Sequence, residues 1–252
     1  EMCIRDSGYV QDPYSIRCAP QVHGTVRDAV MWVKQILERE INTPNDNPLI
    51  FKINENNFKV LSGGNFHGQS LALAADVLAI AITTLGNISE RRIALLLDPS
   101  YNRGLPAFLI EDAGINSGFM VAQYTAAALT ADNRSLSNSF SVSSIPTSIN
   151  QEDHVSMSTN AALRLTRMIE NLRGILSIET LVAMQAIGLR LQGEKPDNYL
   201  GKGTKFAFQY LQGALGGDKL PIREDKYLRT YINIIMKNIE TLMDIMRQKN
   251  FL

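Results

Sequence analysis

Apolar residues recur at three- and four-residue steps along most of the chain. Val26, Val30, Val33, Ile36 and Leu37 follow this period and predict an amphipathic helix from about Thr25 to Glu40. The turn-forming residues of Asn42–Pro48 (NTPNDNP) stop it. Leu49 to Leu61 is the one stretch with strand character, and a short hairpin is expected around Asn54–Asn57. A glycine-rich loop, Ser62–Gly68, follows. From Gln69 to Leu97 Ala, Leu and Ile crowd more than one helical face, so this helix belongs inside a bundle. Asp98–Pro106 reads as a loop, Ser117–Ala131 as another apolar helix, and Asp132–Ser148, rich in Ser and Asn, as an irregular ordered loop. The longest helical pattern starts at Asn150. Leu165, Met168, Leu172, Ile175 and Leu176 mark its stripe, it reaches about Leu191, and Gly193–Pro196 ends it. Two more helices are expected, about Thr204–Gly213 and Glu224–Lys249. The fold class is therefore all-α, a long-helix bundle with a strand or hairpin element near residues 49–61. Residues 8–193 form the central bundle, residues 194–252 are C-terminal helices packed on it, and residues 1–7 (EMCIRDS), which have no period, are foreign to the fold or disordered.

Composition narrows the function classes. The chain has 252 residues, 45% hydrophobic, enough for a sizeable core. Lys plus Arg is 25 and Asp plus Glu is 25, so the net charge is zero and no basic footprint invites nucleic acid or an anionic membrane. Two cysteines, Cys3 and Cys18, make no disulfide framework and fit a reducing, cytoplasmic compartment. No apolar run reads as long as a membrane span, since Asp76 and two threonines interrupt the best candidate, Ser70–Leu85.

Polar residues concentrate in four loops: Gln11–Gly24, Asn42–Leu49, Ser62–Gly68 and Ser144–Met157 (SIPTSINQEDHVSM). Loops on a rigid helical scaffold are where sites sit. His23, His67 and His154 are scattered, with no HExxH and no Cys/His spacing, so no metal site is expected. Ser62-Gly63-Gly64 lacks the lysine of a phosphate loop, and Gly201-Lys202-Gly203-Thr204 lacks the rest of that motif.

Taken together, the loops resemble a known family. Gln11-Asp12-Pro13-Tyr14-Ser15-Ile16-Arg17-Cys18, then Pro20-Gln21-Val22 and Gly24, is similar to the signature of the histidine ammonia-lyase branch of the aromatic amino acid lyases. Asn45–Leu49, Ser62–Gly68, Ser89–Arg92, Asn116–Met120, Asn150–Met157 and Gly201–Thr204 resemble further blocks of the same family, in order. Asn150–Met157 (NQEDHVSM) is the block that resembles the histidine branch in particular. The resemblance covers Gly8 to about residue 230 and implies the C-terminal half of such an enzyme.

The resemblance implies elimination of ammonia from L-histidine, giving trans-urocanate. It also implies a 4-methylidene-imidazol-5-one prosthetic group, formed in the family from an internal Ala-Ser-Gly that this sequence does not contain. A fragment without that segment is expected to be inactive alone. Arg17 is implied to hold the substrate carboxylate, because guanidinium binds carboxylate through two parallel hydrogen bonds. Tyr14 supplies a phenol, as a hydrogen-bond donor or as an acid–base group. Glu152 faces the imidazole, a carboxylate matched to a ring N–H and poorly matched to a phenyl ring. Phe66 packs beside prosthetic group or substrate, and Gln11 and Gln151 complete the hydrogen bonding. A cytoplasmic homotetramer acting on a small amino acid, without nucleic acid, membrane or metal, is implied as well.

Plainer readings stand beside these. Arg17 alone reads as an ion-pair residue, Tyr14 as a packing residue and Phe66 as a core anchor. Ser148 and Gln151 read as a capping box, with Glu152 an acid at a helix start. Ser89–Arg92 reads as a structural charge cluster. Tyrosine or phenylalanine ammonia-lyases or aminomutases of the same family are the close alternatives, and a non-catalytic helical assembly domain is the alternative from another class.

Overall fold

The computed structural model describes residues 11–191, 193–196, 199–216 and 220–251. The expectation that residues 1–7 are foreign lies outside the described residues, as does Cys3. The elements are α1 (Tyr14–Arg17), α2 (Ala19–Ile41), β1 (Leu49–Asn54), β2 (Asn57–Leu61), α3 (Gln69–Leu97), α4 (Met120–Leu136), α5 (Ser158–Leu191), α6 (Lys202–Ala214) and α7 (Leu228–Gln248). The all-α architecture with one hairpin agrees with the hydrophobic pattern. β1 and β2 pair antiparallel, Leu49 opposite Leu61 and Asn54 opposite Asn57, around the expected turn.

Three boundaries are corrected. α2 begins at Ala19, six residues before the expected start, so Ala19–Gly24 is helix and not loop, and α4 runs from Met120 to Leu136, so Asp132–Leu136 is helix and not irregular loop. The longest helix begins at Ser158, not at Asn150. Ser148, Ile149 and Asn150 have φ of 50°, 55° and 65°, so the chain turns through left-handed backbone there. A further correction concerns α3 and α5. Both are long and apolar enough to cross a membrane by length and composition, and in each more than half of the most apolar stretch is buried within the protein.

The chain divides into two compact units, with boundaries after the first residue of α2 and inside α3, α4 and α5. One unit comprises residues 20–85 and 132–170. Val26, Val33 and Ile36 are the buried stripe of α2, whereas Val30 and Leu37 stay 46% and 43% exposed. Val33 and Ile36 pack on Ala74, Val77 and Leu78. Ala72, Ala75 and Ala161 form a second cluster with Phe140 and Leu165, where the small side chains let helices approach closely. Beside it lies an ion pair, Asp76–Arg164, whose side chains are 3% and 4% exposed. Asp76 also accepts the backbone N–H groups of Phe140 (3.1 Å) and Ser141 (2.8 Å). Arg164 donates to the carbonyls of Leu136 (3.1 Å) and Asn138. The pair thus satisfies the turn that leaves α4.

The other unit comprises residues 11–19, 86–131 and 171–251. Its core holds Ile93, Leu109, Ile110, Phe119, Ile175, Ile178, Leu181, Leu215 and Ile235, each at most 1% exposed. Gln185 is fully buried and ties three backbone groups: its amide donates to the carbonyls of Leu109 (2.9 Å) and Ile222 (2.7 Å), and its carbonyl accepts the N–H of Ile222 (2.7 Å). Gly118 has φ +53°, and a Cβ there would lie 2.7 Å from Ile110 Cβ and from the Phe108 carbonyl. Only glycine fits this close approach. Asp225 accepts the N–H groups of Ser117 and Gly118, and these bonds hold its carboxyl below the ordinary range.

Candidate active site

Gln11, Tyr14 and Arg17 belong to one unit; Phe66, Gln151 and Glu152 belong to the other. Each group is built by its own loops.

In the first, Pro13 stands at the N-cap of α1, and the single turn closes with Arg17 N–H donating to the Pro13 carbonyl at 3.0 Å and Cys18 N–H to the Tyr14 carbonyl at 2.9 Å. One turn is enough to put Tyr14 and Arg17 on the same side. The Arg17 guanidinium lies 4.7 Å from the centre of the Tyr14 ring, a cation–π contact. Arg17 Nε donates to the Asp12 carbonyl at 3.2 Å, and the Asp12 carboxylate pairs with Arg103 at 2.8 Å. Arg190 in turn donates to the Asn102 and Arg103 carbonyls. The turn is therefore tethered at its base while Tyr14, 70% exposed, projects from it. Tyr14 lines an open cleft of about 340 Å³ with Ser15, Arg91, Leu95 and Tyr101. Gln11 is exposed at the edge of the same loop.

The block Ser89–Arg92 supports this loop from behind. Ser89 Oγ donates to Glu179 at 2.5 Å, Arg92 forms a two-pronged ion pair with the same carboxylate, and Arg92 reaches the Ser15 carbonyl at 3.5 Å. This matches its reading as a structural charge cluster.

In the second group, Asn47 Oδ1 accepts from Ser62 Oγ and from Gly63 N–H, both at 3.0 Å, and Asn65 donates to the Pro44 carbonyl at 3.1 Å. These bonds join the Asn42–Leu49 loop to the glycine-rich loop. Phe66 is 57% exposed, so it is no core anchor in this chain. Gly68, at φ +77°, passes so close to Ser158 that a Cβ would lie 2.8 Å from its Oγ. His67 contacts the His154 carbonyl through Nε2 at 2.9 Å, and the two imidazoles stack with centroids 5.7 Å apart.

Glu152 does not start a helix. The left-handed residues Ser148, Ile149 and Asn150 turn the chain back so that Thr147 and Glu152 pair as an antiparallel bridge. Thr147 N–H donates to the Glu152 carbonyl at 3.0 Å, and Glu152 N–H to the Thr147 carbonyl at 3.3 Å. The capping-box reading is thereby corrected: Ser148 has the wrong backbone for an N-cap, and α5 begins six residues beyond Glu152. Gln151 sits exposed on the same turn, its N–H bonded to the Ser148 carbonyl at 3.0 Å. Thr147, whose Oγ1 donates to the Glu152 carboxylate at 2.5 Å, is a residue that the hydrophobic pattern gives no reason to single out. No group of three or more His, Cys, Asp or Glu placed to hold a metal ion occurs among the described residues.

Comparison with known proteins gives the family. The chain is 49% identical over 233 residues to a histidine ammonia-lyase of Treponema denticola, covering 92% of this chain and 43% of that protein. Among solved structures, the histidine ammonia-lyase of Trypanosoma cruzi is 42% identical, with TM-score 0.82, over 92% of this chain and 43% of that one. The tyrosine aminomutase of Streptomyces globisporus is 33% identical, with TM-score 0.85, over 97% of this chain and 45% of that one. The chain thus spans less than half the length of the relatives it matches. The family model for aromatic amino acid lyases matches residues 1–212, and the chain belongs to the aromatic amino acid lyase family.

Proposed function

We propose that this chain supplies the substrate-holding part of an ammonia-lyase that converts L-histidine to trans-urocanate. The observation that carries the reading is the exposed Glu152 carboxylate, held on a turn closed by Thr147 instead of serving a helix end. A fixed carboxylate matches the ring N–H of imidazole. A phenyl ring leaves it without that partner, which is costly once the site closes.

Arg17 binds the substrate carboxylate, and its tether through Asp12 limits the freedom lost on binding. Tyr14, stacked beside that guanidinium, offers its hydroxyl for proton transfer at the reacting carbons. Gln11 and Gln151 complete the polar contacts. The reaction removes one β-proton and the amine, and charge that develops as they leave is stabilised by these fixed groups.

The methylidene-imidazolone cannot form from this sequence, which has no Ala-Ser-Gly. The residues present fit a neighbour to it: Phe66 offers an exposed ring, and nothing lies within 4 Å of where a Cβ at Gly63 or Gly64 would stand. When bound, the group supplies the electrophile that makes the amine a leaving group. The active assembly is a cytoplasmic homotetramer without nucleic acid or membrane partners. Exposed apolar positions on α3 and α5 (Leu73, Ile80, Leu163 and Ile169) favour association.

The test is steady-state kinetics of Glu152→Gln in the complete enzyme, on histidine and on phenylalanine. Loss confined to histidine supports the assignment. Equal loss on both places Glu152 in the shared chemistry, and no loss on either removes it from the site.

A further inference from the structure

The reading of Glu152 leaves open what fixes a carboxylate on an exposed turn. A glutamate side chain has three rotatable bonds, and freezing them costs on the order of 1–2 kcal/mol. A carboxylate left free to sample rotamers therefore spends part of its binding energy on being ordered by the substrate. Three features of the loop act against this. The backbone is closed on itself by the reciprocal Thr147–Glu152 bonds, at 3.0 and 3.3 Å. The far side of the loop is pinned by Val155 N–H to Ser144 Oγ at 2.8 Å, and by the contact of His67 with the His154 carbonyl. The carboxylate itself is gripped by a hydroxyl, Thr147 Oγ1 to Glu152 Oε2 at 2.5 Å.

From this geometry we infer that Thr147 is a positioning residue for histidine specificity, orienting the Glu152 carboxylate by its hydroxyl so that the other carboxylate oxygen is presented to the imidazole N–H. Thr147 touches no substrate in this arrangement and acts through Glu152. The residue type suits the task. A β-branched side chain holds a narrow set of χ1 rotamers, so the hydroxyl is aimed by the backbone bridge. The hydroxyl donates to one carboxylate oxygen only, and the second keeps its lone pairs for the ligand. The left-handed run between the two residues brings them face to face. The inference rests on the Glu152 assignment proposed above.

The experiment is a double-mutant cycle in the complete enzyme, with Thr147→Val and Glu152→Ala singly and together, and Thr147→Ser as the hydroxyl-retaining control. Valine keeps the branched shape and removes the donor. Thr147→Val is expected to lower kcat/KM for histidine about 10-fold, the loss of one hydrogen bond to a charged group, with Thr147→Ser restoring most of it. In the Glu152→Ala background Thr147→Val should have no further effect, because the group it orients is gone. The inhibition constant of imidazolepropionate, which keeps imidazole and carboxylate but cannot lose ammonia, should rise in parallel, while that of phenylpropionate stays the same. Melting temperatures separate orientation from folding: all three single variants should melt within a few degrees of the parent. An equal effect of Thr147→Val in both backgrounds, or a loss shared by the phenyl inhibitor, overturns the inference. Loss on Glu152→Ala with none on Thr147→Val sinks the role of Thr147 alone. No loss on Glu152→Ala sinks the assignment of Glu152 itself.

Discussion

Replacing Asp76 by alanine should be among the most damaging single changes outside the candidate site. Asp76 is 2% exposed and serves as acceptor for Arg164 and for the N–H groups of Phe140 and Ser141. Alanine leaves a buried guanidinium with its charge uncompensated, and strands both N–H groups. Truncating one partner of a buried ion pair costs about 3–5 kcal/mol. For a chain of this size that corresponds to a fall in Tm of roughly 6–20 °C. The effect has a pH signature. Burial raises the Asp76 carboxyl pKa, but hydrogen bonds from Ser141 and Phe140 and the charge of Arg164 outweigh it, so the folded-state value lies below the ordinary one. A carboxylate depressed on folding stabilises the protein above its unfolded pKa of about 3.9, and that contribution is lost as pH falls through the folded value. The gap between parent and Asp76→Ala should thus be full at pH 7 and narrow only below about pH 4. Thermal melts followed by far-UV circular dichroism at pH 7 and down a series to pH 3 measure both parts. A Tm within about 2 °C of the parent at pH 7 would refute the argument, since that is the size of a surface change.

Other outcomes follow from the same structure. Gln185→Leu should cost at least about 3 kcal/mol in chemical denaturation, because three buried backbone groups lose their partner at about 1–3 kcal/mol each. Gly118→Ala should destabilise by more than about 2 kcal/mol, through a left-handed backbone and a Cβ driven against Ile110 and the Phe108 carbonyl; a variant as stable as the parent would contradict the close approach. Arg17→Ala in the complete enzyme should lower kcat/KM by roughly 30- to 5000-fold on every amino acid tested, since all share the carboxylate. The 252-residue chain alone should produce no urocanate absorbance from histidine, because it has no Ala-Ser-Gly to form the electrophile.

The helices were legible because burial writes a period into the chain. The crowded apolar faces of Gln69–Leu97 predicted α3 to the residue, and the hairpin turn fell between Asn54 and Asn57 as expected. The start of α5 was not legible. Asn150–Met157 contains no proline or glycine, and its residues are compatible with a helix, so it is the left-handed turn at Ser148–Asn150, and left-handed backbone again at Met157 (φ 55°), that set it outside. That turn depends on pairing across the loop, which leaves no periodic trace. The candidate site shows the same contrast. Tyr14, Arg17 and Glu152 were singled out by chemical type and by family resemblance. Their supports, Asp12 with Arg103 and Thr147 with Glu152, join residues by geometry that spacing does not encode.

The hairpin carries a consequence for handling the protein. Ile50, Phe51, Ile53, Phe58, Val60 and Leu61 are 40–66% exposed, and the two-stranded sheet leaves each strand with one edge unpaired among the described residues. Such an edge, rich in β-branched and aromatic side chains, is a template for strand addition from another molecule. Lys52 and Lys59 are the charges placed on the strands themselves, and like-charge repulsion between copies is the brake they provide. That brake weakens as salt shortens the range of repulsion. Purified alone, the chain should therefore be least prone to form intermolecular sheet in dilute buffer of low ionic strength, and its colloidal behaviour should be set by thirteen residues that contribute little to its core.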